Sequence, residues 1–107
     1  MTNTIRTFTL IAVAASFACA NVFAQSSGEA LYKQKCLNCH SANGLATSGV
    51  GRIMKVKPVT DPDVMKLTEP EMIQRVHDGV GKMQAYKGDL TDAQIRSLVD
   101  YFRTLMK

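Results

Sequence analysis

Apolar positions in this chain fall into one nearly unbroken run close to the N-terminus and three helical periodicities further on, with loops between them. The N-terminal run is Phe8 to Ala20; Arg6 precedes it and Val22-Phe23-Ala24 comes after it. A positive start, an apolar centre and small residues at the cut describe a secretory signal peptide. Residues 1–24 are therefore expected to be removed, leaving residues 25–107 as a single domain. A cut after Ala18-Cys19-Ala20 obeys the same rule, but Ala24 leaves a short stretch between the apolar centre and the cleavage site. The run is shorter than the roughly 20 residues that cross a bilayer, which places an uncleaved membrane anchor second. Lipid attachment at Cys19 ranks lower, because Ser16 stands where such a site usually carries Leu. No later segment could span a membrane, so a soluble, exported, periplasmic protein is expected.

The first helical pattern opens at Ser26-Ser27-Gly28-Glu29, where Ser26 and Glu29 have capping-box spacing. It runs to about Asn38 with Leu31, Tyr32 and Cys36 on one side. Across residues 41–67, Gly44, Gly49, Gly51, Pro58 and Pro62 interrupt every periodicity, which predicts a long loop with one short turn. A loop of that length in a small domain points to a functional role, such as wrapping a cofactor. The second helix starts at Thr68-Glu69-Pro70-Glu71, with Thr68 as N-cap, Met72, Ile73 and Val76 facing inward, and Gly79 as the stop. The third repeats the pattern, with Thr91 as cap, Gln94 three residues on, and Ile95, Leu98, Val99, Phe102 and Leu105 as its apolar face. No stretch alternates like a strand. The expected fold class is all-α, three main helices plus a long loop.

Composition narrows this further. The chain has 107 residues, no Trp and three Cys. Cys19 leaves with the leader, so the mature chain keeps Cys36 and Cys39 and no disulfide framework braces it. So small a domain buries little apolar surface, and a bound macrocycle would supplement its core. Losing Arg6 leaves 12 Lys plus Arg against 9 Asp plus Glu, a net charge of +3. That is too weak and too dispersed for nucleic-acid binding and suits a solvated surface that favours an acidic protein partner.

The chemistry sits in Cys36-Leu37-Asn38-Cys39-His40, a C-x-x-C-H sequence. Thiols three residues apart lie on one helical face and reach the two vinyl groups of one haem, while His40 places an imidazole nitrogen on the iron. A redox-active dithiol is the rival reading, but that motif usually opens a helix after a strand, and none precedes it here. A zinc site would need more ligands than His77 and a few carboxylates supply. For the sixth iron position, Met54, Met65, Met72, Met83, Met106 and His77 all qualify by type. Met72 and Met106 fall in helical patterns and read as core or helix-end residues. Met54 and Met65 lie in the long loop. Met83 lies in Gly79-Val80-Gly81-Lys82-Met83-Gln84-Ala85-Tyr86, whose glycines allow close backbone approach to a flat ligand. His77 reads first as a helix C-terminal histidine.

Gly28 with Tyr32, then C-x-x-C-H, then a Gly-rich loop with Met, then a last helix carrying Tyr101 and Phe102 resembles the class I c-type cytochromes. The resemblance covers essentially all of Gly28 to Met106. It implies a cytochrome c-like fold around one covalently bound haem c, with the first and last helices crossing closely at Gly28. It also implies Met83 as the distal iron ligand opposite His40. Two departures stand out. Gln84 comes after Met83 where Pro is frequent, implying a less rigid loop. The stretch Gly49-Val50-Gly51-Arg52-Ile53 also lacks the Pro whose carbonyl commonly accepts from the proximal His, so another carbonyl would have to serve.

With both axial positions filled by protein, no substrate site remains, and the expected role is one-electron transfer between redox partner proteins rather than catalysis. The other readings are a haem c subunit of an exported oxidoreductase complex and, behind it, an open-iron enzyme or sensor for peroxide, CO or NO. Lys55, Lys57, Lys82 and Lys87 read first as solvated; those near the Met83 loop would meet acidic partners if they ring an exposed haem edge.

Overall fold

Strong caps set the two longest helices. The computed structural model of the protein describes residues 27–107, so the expected leader and Ser26 lie outside the described residues. Its six helices are, in order, α1 Gly28–Lys35, α2 Leu37–His40, α3 Gly49–Ile53, α4 Pro62–Met65, α5 Glu69–Asp78 and α6 Asp92–Thr104. The all-α expectation holds; among the described residues the only strand-like pairing is an isolated bridge between Val80 and Met83.

Helix α5 begins with a capping box: the Glu71 carboxylate accepts from the Thr68 N–H at 2.7 Å, and Thr68 Oγ1 accepts from the Glu71 N–H at 3.4 Å. Gln94 and Thr91 repeat this at the start of α6, at 2.9 and 3.2 Å. The expected box at α1 involves Ser26 and so lies outside the described residues. The N-cap of α1 is Ser27, whose hydroxyl accepts from the Ala30 N–H at 3.2 Å, and Glu29 pairs with Lys33 one turn on at 2.7 Å.

Packing is dominated by α1 crossing α6. Gly28 lies against the Ser97 carbonyl, so closely that a Cβ on residue 28 would sit 1.9 Å from that oxygen. Below the crossing, Tyr32 stacks at a tilt on Tyr101 and Phe102, with ring centroids 5.3 and 6.3 Å apart. Its hydroxyl donates to the Ser41 carbonyl at 2.5 Å. Leu31, Tyr32, Met72, Ile95, Leu98 and Val99 form the centre of the core, joining α1, α5 and α6.

The stretch 41–67 holds two short helices where one short turn was expected, for reasons that invert the roles of its breakers. Gly51 does not interrupt α3. It lets α3 lie against α2, since a Cβ there would come within 2.4 Å of the Cys39 carbonyl. Pro62 occupies the first turn of α4, where a missing N–H costs nothing, behind the Asp61 cap. Helix α3 closes with a Schellman pair, Val56 N–H to Gly51 O at 2.9 Å and Lys55 N–H to Arg52 O at 3.1 Å. Lys55 takes the left-handed position, φ 54°, that Gly usually fills. Lys55→Gly is therefore expected to stabilise the fold by about 1 kcal/mol in paired urea titrations. A loss of stability would mean that the lysine side chain contributes more than its backbone strain costs.

Candidate functional site

The ends of α1 and α2, the inner faces of α5 and α6 and the loop between α5 and α6 enclose a cavity of about 770 Å³. That volume is in the range of small-molecule and cofactor sites. Cys36, Cys39, His40 and Met83 all line it. Its walls are largely apolar, with Met72, Val76, Leu98 and Phe102 among them.

The C-x-x-C-H segment does not continue α1 unbroken. The chain is irregular at Cys36, where φ is −114°, and α2 restarts at Leu37. The turn is still kept by Cys39 N–H and His40 N–H, which both donate to the Cys36 carbonyl at 3.2 and 2.9 Å. Residues 41–48 are laced to this turn by hydrogen bonds. The Ser41 hydroxyl accepts from the N–H groups of Thr47 and Ser48 at 3.0 and 3.2 Å. Ser48 Oγ donates to the Asn38 carbonyl at 2.7 Å, and the Ala46 N–H donates to the His40 carbonyl at 3.0 Å. Both sulfurs and the imidazole are thereby fixed on one wall.

Burial sets the protonation of these groups. The Cys36 thiol is pushed up to about 12, first by burial and then by Cys39 nearby, so it is a neutral thiol at physiological pH. A redox dithiol needs the opposite, a lowered pKa that supplies thiolate. Among the described residues no three His, Cys, Asp or Glu side chains gather as metal ligands, whereas a structural zinc needs four donors. Burial also holds His40 below the usual histidine range, favouring the neutral imidazole that ligates iron. Its ring meets Phe102 edge-on at 5.7 Å.

No carbonyl replaces the missing proline's. His40 Nδ1 is buried without a hydrogen-bond partner. A buried polar atom left unpaired, two thiols and an imidazole on one apolar wall fit a haem attached there.

Three of the six candidates for the distal position line the cavity: Met54, Met72 and Met83. Met72 is a core residue, as its helical pattern suggests. Met65 is exposed, Met106 packs against the core, and His77 pairs with Asp78 at 2.7 Å; none of the three lines the cavity. Met83 closes a tight turn in which Val80 and Met83 exchange backbone hydrogen bonds at 3.1 and 2.9 Å. Gly79, at φ 79°, makes room for it, because a Cβ there would meet the Met83 carbonyl at 2.8 Å. The base of the loop is tied to α5 through Tyr86 N–H to Val76 O at 3.0 Å, and to α1 through the Lys35–Asp89 ion pair at 2.7 Å. Arg75, one turn after Met72 on α5, also lines the cavity; after the Thr68 hydrogen bonds, its charge helps to lower the Glu71 carboxyl one turn back. Sequence reading passed Arg75 over, although its i+3 spacing from Met72 was a usable signal.

Known proteins share this fold. The KustC0563 c-type cytochrome has a TM-score of 0.68 and 26% identity, over 76% of this chain and 99% of its own. A point mutant of the same cytochrome gives 0.66 and 25%, over 74% and 98%. The fold is that of a c-type cytochrome. The profile of the cytochrome c oxidase, cbb3-type, subunit III family matches residues 23–102, and the chain belongs to that family. No curated protein matches it. Class and family establish covalently bound haem c as the cofactor and electron transport as the role.

Proposed function

We propose that the protein is an exported one-electron carrier whose haem c is joined to Cys36 and Cys39, with its iron held between His40 and Met83. One cavity brings two thiols, an imidazole and a loop thioether together, and that observation carries the proposal. Bound there, haem c supplies the one-electron couple of its iron. The chain's residues do the rest. Cys36 and Cys39 anchor the macrocycle, and neutral His40 offers an imidazole nitrogen. The Met83 thioether, a soft donor, favours the ferrous state. Apolar walls from α5 and α6 exclude water and disfavour the extra positive charge of ferric iron. Arg75 suits the carboxylates of the haem periphery. With His40 and Met83 both bound, the iron would have no open position, which fits a carrier rather than an enzyme.

The family description favours a second reading, a haem c subunit held in an exported oxidoreductase complex. Co-purification of a catalytic chain at stoichiometric yield would establish it.

The test is the absorption spectrum of wild type beside Met83→Ala, oxidised and reduced. A weak far-red sulfur-to-iron band in wild type alone is the expected result. Its absence from wild type, or its survival in the variant, would overturn the Met83 assignment and bring Met54 or Met72 forward.

A further inference from the structure

Charge is distributed unevenly along the chain. Residues 30–60 contain no Asp or Glu, yet Lys33, Lys35, Arg52, Lys55 and Lys57 lie there. Three of these are engaged: Lys33 with Glu29 at 2.7 Å, Lys35 with Asp89 at 2.7 Å and Lys57 with Asp63 at 2.6 Å. Among the described residues Arg52 and Lys55 have no such partner. Between them Ile53 is 76% exposed, more than any other large apolar side chain described. Val50, three residues earlier and so on the same side of α3, is 40% exposed. Met54 and Lys55 line the cavity, which places the end of α3 at its rim. Lys55 also holds its strained left-handed backbone where glycine would be relaxed, keeping a long cation at that rim.

We infer that Val50, Arg52, Ile53 and Lys55, at the end of α3, form the docking surface for a redox protein presenting an apolar centre flanked by carboxylates. This rests on the carrier reading above. A buried apolar contact ringed by opposite charges is the usual anatomy of a specific protein interface, and a small one suits a partner that must leave quickly. One electron passes between that partner's redox centre and the haem iron, and no bond forms or breaks. Two copies of this surface would repel each other. Two unpaired cations are also too few to hold the protein on an anionic membrane, where stable attachment draws on larger basic clusters. The competing surface is the Met83 loop, with Lys82 and Lys87.

The probe is a gold electrode coated with a mixed monolayer of carboxylate- and methyl-terminated alkanethiols, read by voltammetry of the holoprotein at low salt. Ile53→Ser and Arg52→Gln, at residues that do not line the cavity, are together expected to slow electron exchange about tenfold with midpoint potential and optical spectrum unchanged. Lys82→Gln with Lys87→Gln should change it little. The reverse ranking, or equal losses in both sets, would overturn the inference, since docking would then track the Met83 loop or net charge alone. Binding of wild type to phosphatidylglycerol vesicles that Ile53→Ser abolishes would assign the surface to a membrane. A dimer abolished by Ile53→Ser would assign it to a second copy. Either result overturns a protein redox partner. Failure of the carrier reading shows separately, as holoprotein in solution that no chemical reductant converts to the ferrous spectrum.

Discussion

Gly28→Ala is expected to cost the protein more than about 3 kcal/mol, a large part of the stability of a domain this size. Alanine ordinarily improves a helix by about 1 kcal/mol over glycine, so the sign of the change is informative in itself. At this position the new Cβ would lie 1.9 Å from the Ser97 carbonyl oxygen, 2.7 Å from its carbon and 3.2 Å from Tyr101 Cβ. The first two are backbone atoms of α6 and cannot swing away. The helices must part, and Tyr32 then loses its contacts with Tyr101 and Phe102. Thermal unfolding is the measurement, and a fall of more than about 10 °C is expected. Gly49→Ala is the control, because a Cβ there meets nothing within 4 Å and helix propensity alone acts. Equal melting of Gly28→Ala and wild type would mean that α1 and α6 do not cross this closely.

The other large effect is on the cofactor. Replacing Cys36 and Cys39 together by alanine is expected to abolish covalent haem, seen as loss of haem stain on a denaturing gel. Each single variant should give a sharply lower yield of coloured protein. The two singles should also differ. Cys36 is buried in the core beside Leu31 and Tyr32, whereas Cys39 is half-exposed, so Cys36→Ala removes packing as well as a tether. Full-yield, normally coloured protein from both single variants would contradict attachment at these residues. The double variant should also melt early, since a cofactor that binds only the folded chain stabilises it by mass action and an unfilled cavity does not.

What could be read from the sequence depended on how local each signal was. Helices α5 and α6 were legible because Thr68–Glu71 and Thr91–Gln94 carry both halves of a cap within four residues. Helix α1 begins where its pattern does, one residue later in its cap because Ser26 and Ser27 stand side by side, but it ends at Lys35 rather than near Asn38, since the chain breaks at Cys36 before α2 resumes. The 41–67 stretch was misread for a different reason. Gly51 reads as a breaker in sequence, but what requires it is the Cys39 carbonyl from another part of the chain. The left-handed backbone at Ser41, Ala46 and Lys55 likewise arises from tertiary turns, with no glycine to announce it. At the site, the C-x-x-C-H residues declare themselves because one rigid ligand dictates their spacing. The distal side has no such grammar, and Met54, Met72 and Met83 become distinguishable from Met65 and Met106 only once the cavity is formed.

The crossing of α1 by α6 also sets an order of events in time. Helix α1 is eight residues long, too short to persist alone in water, and its main support is a helix made much later during synthesis. Until α6 arrives, α1 lacks its main packing partner, and only the local contacts of α2 with residues 41–53 hold the segment carrying Cys36 and Cys39. The two thiols are therefore expected to stay reachable during synthesis until the last helix is in place, and the fold closes over Cys36 only then.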